Sequence, residues 1–449
     1  MLKQIKPTKK EKQETKDFVD KTIQIINKIC KTENIPNTKT MLVGSTAKNT
    51  SLNKKADIDI FITFPLNHTP EQLKEDGLKI AEKTIEKLEG IPEKKYASHP
   101  YLTGHIGKYT VDFVPCYNIK DATQLKSAVD RTTLHTKYIK EHMTNTQADQ
   151  VLLLKQFMTT TNTYGAKYKV SGFSGYLTEL LILKYNTFQN TIDNAVNWKK
   201  HVSIDLENYG TTKKFKDPLI AIDPTDSNRN VAAALSNQKL SEFIIAAQNY
   251  QKNPTKEYFK PITIKPNIND LKTIFKKRNT KTLILSFNIP TLPDDTIYPQ
   301  INKTQQSLIR TSKLYDFEIF NSTYWITENK AYILLEYEIS QLPNIKKHTG
   351  PQIYNNINAT NFKIKHPNSI IKENKYIALI PRKYTNINEF IIGMLKKEEI
   401  NQLKLGKDIK ETITNDYQIE DIQKFMNSTN NENLKQIHQY LHPTIHITR

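Results

Sequence analysis

Cysteine is almost missing from this chain: Cys30 and Cys116 are the only two in 449 residues. Two cannot build a disulfide framework or a four-cysteine zinc site, and such usage fits a reducing compartment. Glycine is also scarce, at 12, and tryptophan falls to two. No apolar run approaches the roughly 18 residues that a membrane-spanning helix needs. The opening stretch MLKQIKPTKKEKQETKD lacks an apolar centre, so it does not read as a secretory signal. The expectation is a soluble, cytoplasmic protein with no membrane partner.

Acid is outnumbered. Lys and Arg total 65 against 46 Asp and Glu, a formal net charge of +19. A surplus of that size favours a polyanionic partner, because Lys and Arg displace counterions condensed on phosphates. Abundant Lys, Asn, Ile and Thr also fit an AT-rich coding bias, so charge supports a nucleic-acid partner without establishing one. The length suggests roughly two to four domains, and 37% hydrophobic residues suffice for real cores.

Val19, Ile23, Ile26 and Cys30 recur at helical spacing, which predicts a helix over 11–32. A short strand, TMLV, leads into GSTAKNT. The segment ADIDIFITF alternates as a strand does, with Asp57 and Asp59 on one face and Ile58, Ile60 and Ile62 on the other. PEQLKEDGLKIAEKTIEKLEG reads as a helix. KKYASHPYLTGHI and KYTVDFVPCY read as paired strands turning at Gly107-Lys108, with Asp112 mid-strand. From about Ala148 to Tyr250 the chain reads mainly helical, RNVAAALSNQKLSEFIIAAQNY included. The three-proline stretch QKNPTKEYFKPITIKPN marks a boundary. Beyond it, a strand–helix–strand–strand order predicts a ferredoxin-like or RRM-like sheet.

The pattern that carries chemistry is GSTAKNTSLNKKADIDIF followed by YTVDFVP. Joining a nucleotide to an RNA end requires a hydroxyl to attack an α-phosphate while pyrophosphate leaves, and two divalent metals can stabilise both oxygens. Magnesium takes carboxylates together with substrate phosphates. Carboxylates at i and i+2 of a strand, Asp57 and Asp59, reach one side, and Asp112 on an adjacent strand can complete the set. Gly44 lets a backbone approach phosphate closely. Ser45 offers a hydroxyl and an N–H, and Lys48 a positive charge. A lone Asp-x-Asp is usually a solvated face. Gly-Ser upstream, an apolar opposite face and a later central Asp together argue for nucleotidyl transfer.

These residues resemble the polymerase-β-like nucleotidyltransferase superfamily and, within it, the class I (archaeal) CCA-adding enzymes, which are tRNA nucleotidyltransferases. The likeness continues through SAVDRTTLHTKYI, LLKQFMTTTNTYGAKYKVSGFSGYLTELLILKY, LIAIDPTDSNRNVAAALS and a looser HTGPQIY. It implies that Asp57, Asp59 and Asp112 are catalytic and hold two Mg2+ ions. It implies that Ser45 and Lys48 hold the triphosphate, that Thr132, His135, Lys155 and Tyr164 line the nucleotide pocket, and that Arg229 reads the base. Lys48 stands where the family often has Arg, keeping the charge without the fork. Thr133 stands where it usually has proline, which predicts a looser turn beside His135. Taken alone, His135 fits a packing histidine, Tyr164 a core aromatic, and Lys155 a stem snorkelling from an apolar helix. Arg229 fits a backbone partner near a helix start, where a cation opposes the dipole.

The resemblance implies successive addition of C, C and A to the 3′ end of tRNA from CTP and ATP, with recognition of the acceptor and TψC arms by shape. It leaves a homodimer open. Another template-independent RNA nucleotidyltransferase, such as a poly(A) polymerase or oligoadenylate synthetase, shares the first motif but not the later blocks. A non-catalytic RNA-binding protein would not need all three aspartates. Class II enzymes carry a Gly-Gly…Arg-Asp pattern that is absent here. The expected fold is α+β: a nucleotidyltransferase head with a mixed sheet (1–145), a helical neck completing the nucleotide pocket (146–254), and an α/β body with an RRM-like or ferredoxin-like tail that binds tRNA (255–449).

Overall fold

The computed structural model describes residues 1–53, 57–96, 100–396 and 398–449. Two compact units emerge, Met1–Ile262 with Thr444–Arg449, and Thr263–Pro443. Among the described residues no helix is long and apolar enough to cross a membrane.

The first unit opens with α1 (Leu2–Ile5) and α2 (Lys9–Thr32), the latter started by a capping box in which Thr8 and Glu11 exchange hydrogen bonds. Five strands follow: β1 (Lys39–Val43), β2 (Ile58–Phe64), β3 (Ile91–Tyr96), β4 (Pro100–Ile106) and β5 (Tyr109–Tyr117). Their order is β1-β2-β5-β4-β3. Only β2 and β5 run parallel, so the sheet is mixed. Two helices interrupt it, the single turn α3 (Gly44–Ala47) and the long α4 (Pro70–Lys87). Ile58, Ile60 and Ile62 are fully buried, packed in one cluster with Val19, Ile26 and Ile29 of α2 and Ile80 and Ile85 of α4. The alternation of β2 therefore aims Asp59 at the opposite face.

Two details differ from the sequence reading. The run KKYASHPYLTGHI is two paired strands, β3 and β4, rather than one. Its middle, 97–99, and Ala56 at the start of ADIDIFITF lie outside the described residues. The hairpin between β4 and β5 does turn at Gly107, whose φ of 56° favours glycine.

Helices α5 (Arg131–His142), α6 (Asn145–Thr160), α7 (Gly175–Tyr185), α8 (Phe188–Ala195) and α9 (Asn237–Lys252) follow, with a small sheet of β6 (Val202–Ile204), β7 (Leu219–Asp223) and β8 (Asp226–Asn230). That sheet falls where the sequence read as helical. Every residue of β7 is buried, so it shows no alternation to betray it. The segment RNVAAALS is not helix either. The Asn230 amide oxygen accepts from the Ala221 and Ala232 N–H groups, and its amide donates to the Leu219 carbonyl. A side chain that satisfies the backbone this way holds a turn against helix formation, and α9 begins only after its cap, Ser236.

The second unit contains α10 (Ile268–Arg278), β9 (Lys281–Asn288), α11 (Asp294–Leu314), β10 (Ile319–Thr327) and β11 (Lys330–Tyr337). An insertion follows: β12 (Ile345–Gln352), α12 (Asn356–Lys365), β13 (Ile370–Lys372) and β14 (Lys375–Pro381), forming its own sheet. Then come α13 (Ile387–Leu395), α14 (Lys410–Asn415), β15 (Tyr417–Asp421), α15 (Ile422–Ser428) and α16 (Asn431–Leu441). The main sheet is antiparallel throughout, in the order β10-β11-β9-β15. Leaving the insertion aside, the course is the βαββαβ of a ferredoxin-like sheet. Leu283 and Leu285 of β9 pack on the α11 and α13 side, and Ile284 packs with Phe425 of α15 and Ile437 of α16. Both faces are covered, so this sheet lacks the open face on which an RRM stacks bases.

Candidate active site

The parallel pairing of β2 with β5 sets Asp59 directly beside Asp112. Both project from the face opposite the isoleucines. Asp112 accepts a hydrogen bond of 2.5 Å from the Thr103 hydroxyl on β4. Asp57 lies one residue ahead of β2 and is exposed, and its carbonyl accepts from the Thr46 hydroxyl at 2.9 Å. Burial, then the neighbouring Asp112 and Asp57 charges, push the Asp59 carboxyl up to about 7, against a smaller opposing pull from Lys48. Burial likewise raises Asp112, opposed by its bond from Thr103. These carboxylates are crowded together, and among the described residues neither Asp59 nor Asp112 forms an ion pair.

Gly44 closes over them. It follows β1 as the first residue of α3, with φ of +72°, and a Cβ there would lie 2.0 Å from an oxygen of Asp59. Both the backbone conformation and the space demand glycine. Ser45 follows it in the first turn of α3.

Lys48 does not point freely at this face. Its ammonium lies 2.6 Å from Glu179 on α7, and both side chains are buried. The Thr50 hydroxyl donates to the other Glu179 oxygen at 2.6 Å. Lys155 on α6 donates to the Thr50 carbonyl at 2.8 Å and lies 3.8 Å from Glu179. At 3% exposure its side chain does not snorkel. Burial pushes the Lys155 ammonium down to about 8, with Glu179 opposing. Burial works to raise Glu179, but the two lysines prevail and hold it below the usual carboxylate range. The Tyr164 hydroxyl and the Lys155 ammonium both converge on the space left by the missing Cβ of Gly175. Burial, then the Glu179 charge, raise the Tyr164 hydroxyl to about 12.

A second cluster forms around Asp223, the last residue of β7 and fully buried. One of its oxygens takes His135 Nε2 at 2.7 Å and Arg229 Nη1 at 2.8 Å. The other takes the Thr225 N–H at 3.0 Å, the Thr225 hydroxyl at 2.9 Å and the Tyr176 hydroxyl at 3.2 Å. Burial favours its neutral form, yet these donors win and hold the carboxyl far below its usual range. Burial lowers the His135 imidazole, with Asp223 pulling the other way. Arg229 sits on β8 rather than at a helix start, so no helix dipole opposes it.

Tyr176 joins the two clusters. Its ring stacks on His135 with centroids 3.9 Å apart, and Lys48 lies 5.8 Å from its centroid. Thr132 lies three residues before His135 on α5, its carbonyl accepting from Thr136 at 2.8 Å. The helix is tied to β5 by buried Asp130, which accepts from the N–H groups of Tyr117 and Ser127. The Thr133 hydroxyl bonds back to the Asp130 carbonyl at 2.9 Å, a restraint of its own in place of a proline ring. The sequence reading named neither Glu179, Tyr176, Thr50 nor Asp223. Glu179 had a visible signal, a lone charge in the apolar run GYLTELLIL.

A sheet with paired carboxylates beneath a glycine, next to a wall of buried cations, defines the nucleotidyltransferase class. Family models agree: residues 23–135 match a nucleotidyltransferase domain, 149–260 the second domain of tRNA nucleotidyltransferase, and 278–421 the C-terminal domain of the CCA-adding enzyme. The CCA-adding enzyme of Methanothermobacter thermautotrophicus is 38% identical over 99% of this chain and 97% of its own. Those of Methanosarcina barkeri and Methanocaldococcus jannaschii are 35% and 36% identical, over 93% and 86% of this chain and 92% and 87% of theirs. The chain belongs to the CCA-adding enzyme family.

Proposed function

We propose that this enzyme adds C, C and A in turn to the 3′ end of tRNA from CTP and ATP in the cytoplasm, releasing pyrophosphate, and that Asp57, Asp59 and Asp112 hold two Mg2+ ions. The observation that carries the reading is the in-register pair Asp59 and Asp112 beneath Gly44, raised in pKa and, among the described residues, in no ion pair. Carboxylate oxygens are the donors magnesium prefers. Among the described residues no group of three such side chains is drawn tightly enough to hold an ion unaided. The remaining ligands would come from the triphosphate, which is how magnesium commonly binds in such sites. When bound, the ions supply positive charge at the attacking and leaving oxygens.

The chain's own residues do the rest. Gly44 and Ser45 bring backbone against the triphosphate. Lys48 and Lys155, held by Glu179, and the Tyr164 hydroxyl set a positive, donor-rich wall for it. Thr132 and His135 line the nucleotide, and Arg229 faces the base. An arginine offers only donors. Cytosine and adenine present a ring acceptor beside an amino group, whereas uracil and guanine present a ring N–H. Arg229 therefore favours the first pair, and the change from C to A follows from the space left as the RNA end grows. We read 1–145 as the head, 146–254 as the neck and 255–449 as the tRNA-binding body and tail, with tRNA gripped through its acceptor and TψC arms.

The test is to incubate the purified protein and Mg2+ with tRNAs ending at the discriminator base, at C and at CC, each with a single triphosphate, and to size the products. CTP should extend the first substrate by two residues and the second by one, and ATP should extend only the third, by one residue. Long A tails on any substrate would instead mark a poly(A) polymerase.

A further inference from the structure

We propose that Asp223 is a positioning residue for base selection, fixing the orientation of Arg229 and the tautomer of His135 together. The inference rests on the proposed role of Arg229 as base reader. Its ground is the way the five donors divide between the two carboxylate oxygens. The Thr225 N–H and hydroxyl and the Tyr176 hydroxyl meet Oδ1, and His135 and Arg229 meet Oδ2.

The Oδ1 side is the anchor. Thr225 N–H bonding two residues back is an Asx turn, placed where the pairing of β7 with β8 shifts register at Ile222/Asp223. The Oδ2 side is the working side. An ionised carboxylate can only accept, so His135 Nε2 carries the proton, and in the neutral ring Nδ1 is left as an acceptor. Arg229 spends one N–H on Asp223, and its side chain remains 34% exposed, with donors left for a ligand. One carboxylate thus sets a donor group and an acceptor group at a fixed separation along the wall that the nucleotide must meet.

An amide cannot replace it. Asn has one accepting oxygen and one donating nitrogen, so at position 223 its nitrogen would face donors on one side or the other. Asp223→Asn should therefore release Arg229 or break the anchor. The readout is the ratio of kcat/KM for CTP to that for UTP on tRNA lacking its terminal CCA, measured for wild type, Asp223→Asn, Arg229→Ala and the double variant. We expect Asp223→Asn to lower the ratio about tenfold or more, the order expected when a buried donor is left unpaired. In the Arg229→Ala background it should lower the ratio no further. Equal slowing for both nucleotides with an intact ratio, while Arg229→Ala lowers it, would overturn the role of Asp223 alone. An unchanged ratio in Arg229→Ala would overturn the base-reading role on which the inference rests. If thermal melts show that Asp223→Asn does not fold, Tyr176→Phe removes one hydrogen bond to the same carboxylate and keeps the ring. It should lower the ratio severalfold, and an unchanged ratio would again overturn the proposal.

Discussion

Asp59 and Asp223 lie in the same unit and are both drawn in from solvent, yet their electrostatic states are opposite. Asp59 sits beside two other carboxylates and its pKa is raised. Asp223 collects an imidazole, a guanidinium, two hydroxyls and an N–H, and its pKa is lowered. Glu179 belongs with Asp223, since it is buried against two lysines and a threonine hydroxyl. Burying an unpaired charge is costly, so a withdrawn carboxylate in no ion pair among the described residues favours a cation brought by a ligand. A fully satisfied carboxylate is already spent, and its use is to hold its partners in place. On the proposed reading, the contrast separates the carboxylates that would take metal from those that position other side chains.

The predictions probe that contrast. Asp59→Ala and Asp112→Ala should each cut nucleotide addition by on the order of 10³-fold or more, since loss of a metal carboxylate removes several kcal/mol from the transition state. Both variants should fold at least as stably as wild type without metal, because each deletion relieves repulsion. Single-turnover extension and a thermal melt decide the two halves separately.

Glu179→Gln should behave in reverse. It strands Lys48, its direct partner at 2.6 Å, and to a lesser degree Lys155, in a buried setting, at a cost of about 3–5 kcal/mol in stability. Its catalytic signature should be a higher KM for CTP and ATP alike, with base preference intact. A variant of normal stability would show that the two lysines do not depend on that carboxylate.

Arg229→Ala should retain metal-dependent transfer but lose about 1–3 kcal/mol of discrimination against UTP and GTP, the scale of an unmet buried hydrogen bond. Competition between nucleotides on tRNA ending in C and in CC would detect it. Equal slowing for all four would make Arg229 a structural or phosphate-binding residue.

The smallest effect should appear in stability against pH. The Asp59 carboxyl is raised to about 7, against about 4 when unfolded. Between those values the native state holds a proton that the unfolded chain has lost, so metal-free stability should fall as pH rises through this window. Asp223, with its pKa lowered, adds stability above the unfolded value that is lost on acidification below about 4. Magnesium favours ionised Asp59, so it should raise Tm more at pH 7.5 than at pH 5. Melts with Mg2+ and with EDTA at both pH values would show this.

Much of the site was legible because its chemistry follows strand periodicity. Asp59 and Asp112 are marked by the isoleucines and valine beside them, and the face they share follows from alternation alone. What the sequence did not disclose depends on side chains brought together from distant segments. Asp223 stands at the end of a strand whose five buried residues carry no period, and nothing local foretells that His135, 88 positions away, donates to it. Lys155 shows the limit from the other side. Its helix predicts a snorkelling stem, and only the packing of α6 against Thr50 and Glu179 reveals a buried cation. Arg229 was placed near a helix start because RNVAAALS has helical composition, whereas the Asn230 side chain holds that segment in a turn. In the second unit the strand–helix–strand–strand order was visible, but the insertion of β12 to β14 before β15 hid the sheet's closure.

The central claim is that the crowded carboxylates, and not the satisfied ones, take the metal. Manganese is a paramagnetic stand-in for magnesium, so free Mn2+ can be titrated by electron paramagnetic resonance with CTP present. Wild type, Asp59→Asn and Glu179→Gln should be compared under one condition. The account predicts that Asp59→Asn loses Mn2+ binding beyond that of CTP alone, while Glu179→Gln binds as many ions as wild type. Unchanged Mn2+ uptake by Asp59→Asn would contradict it.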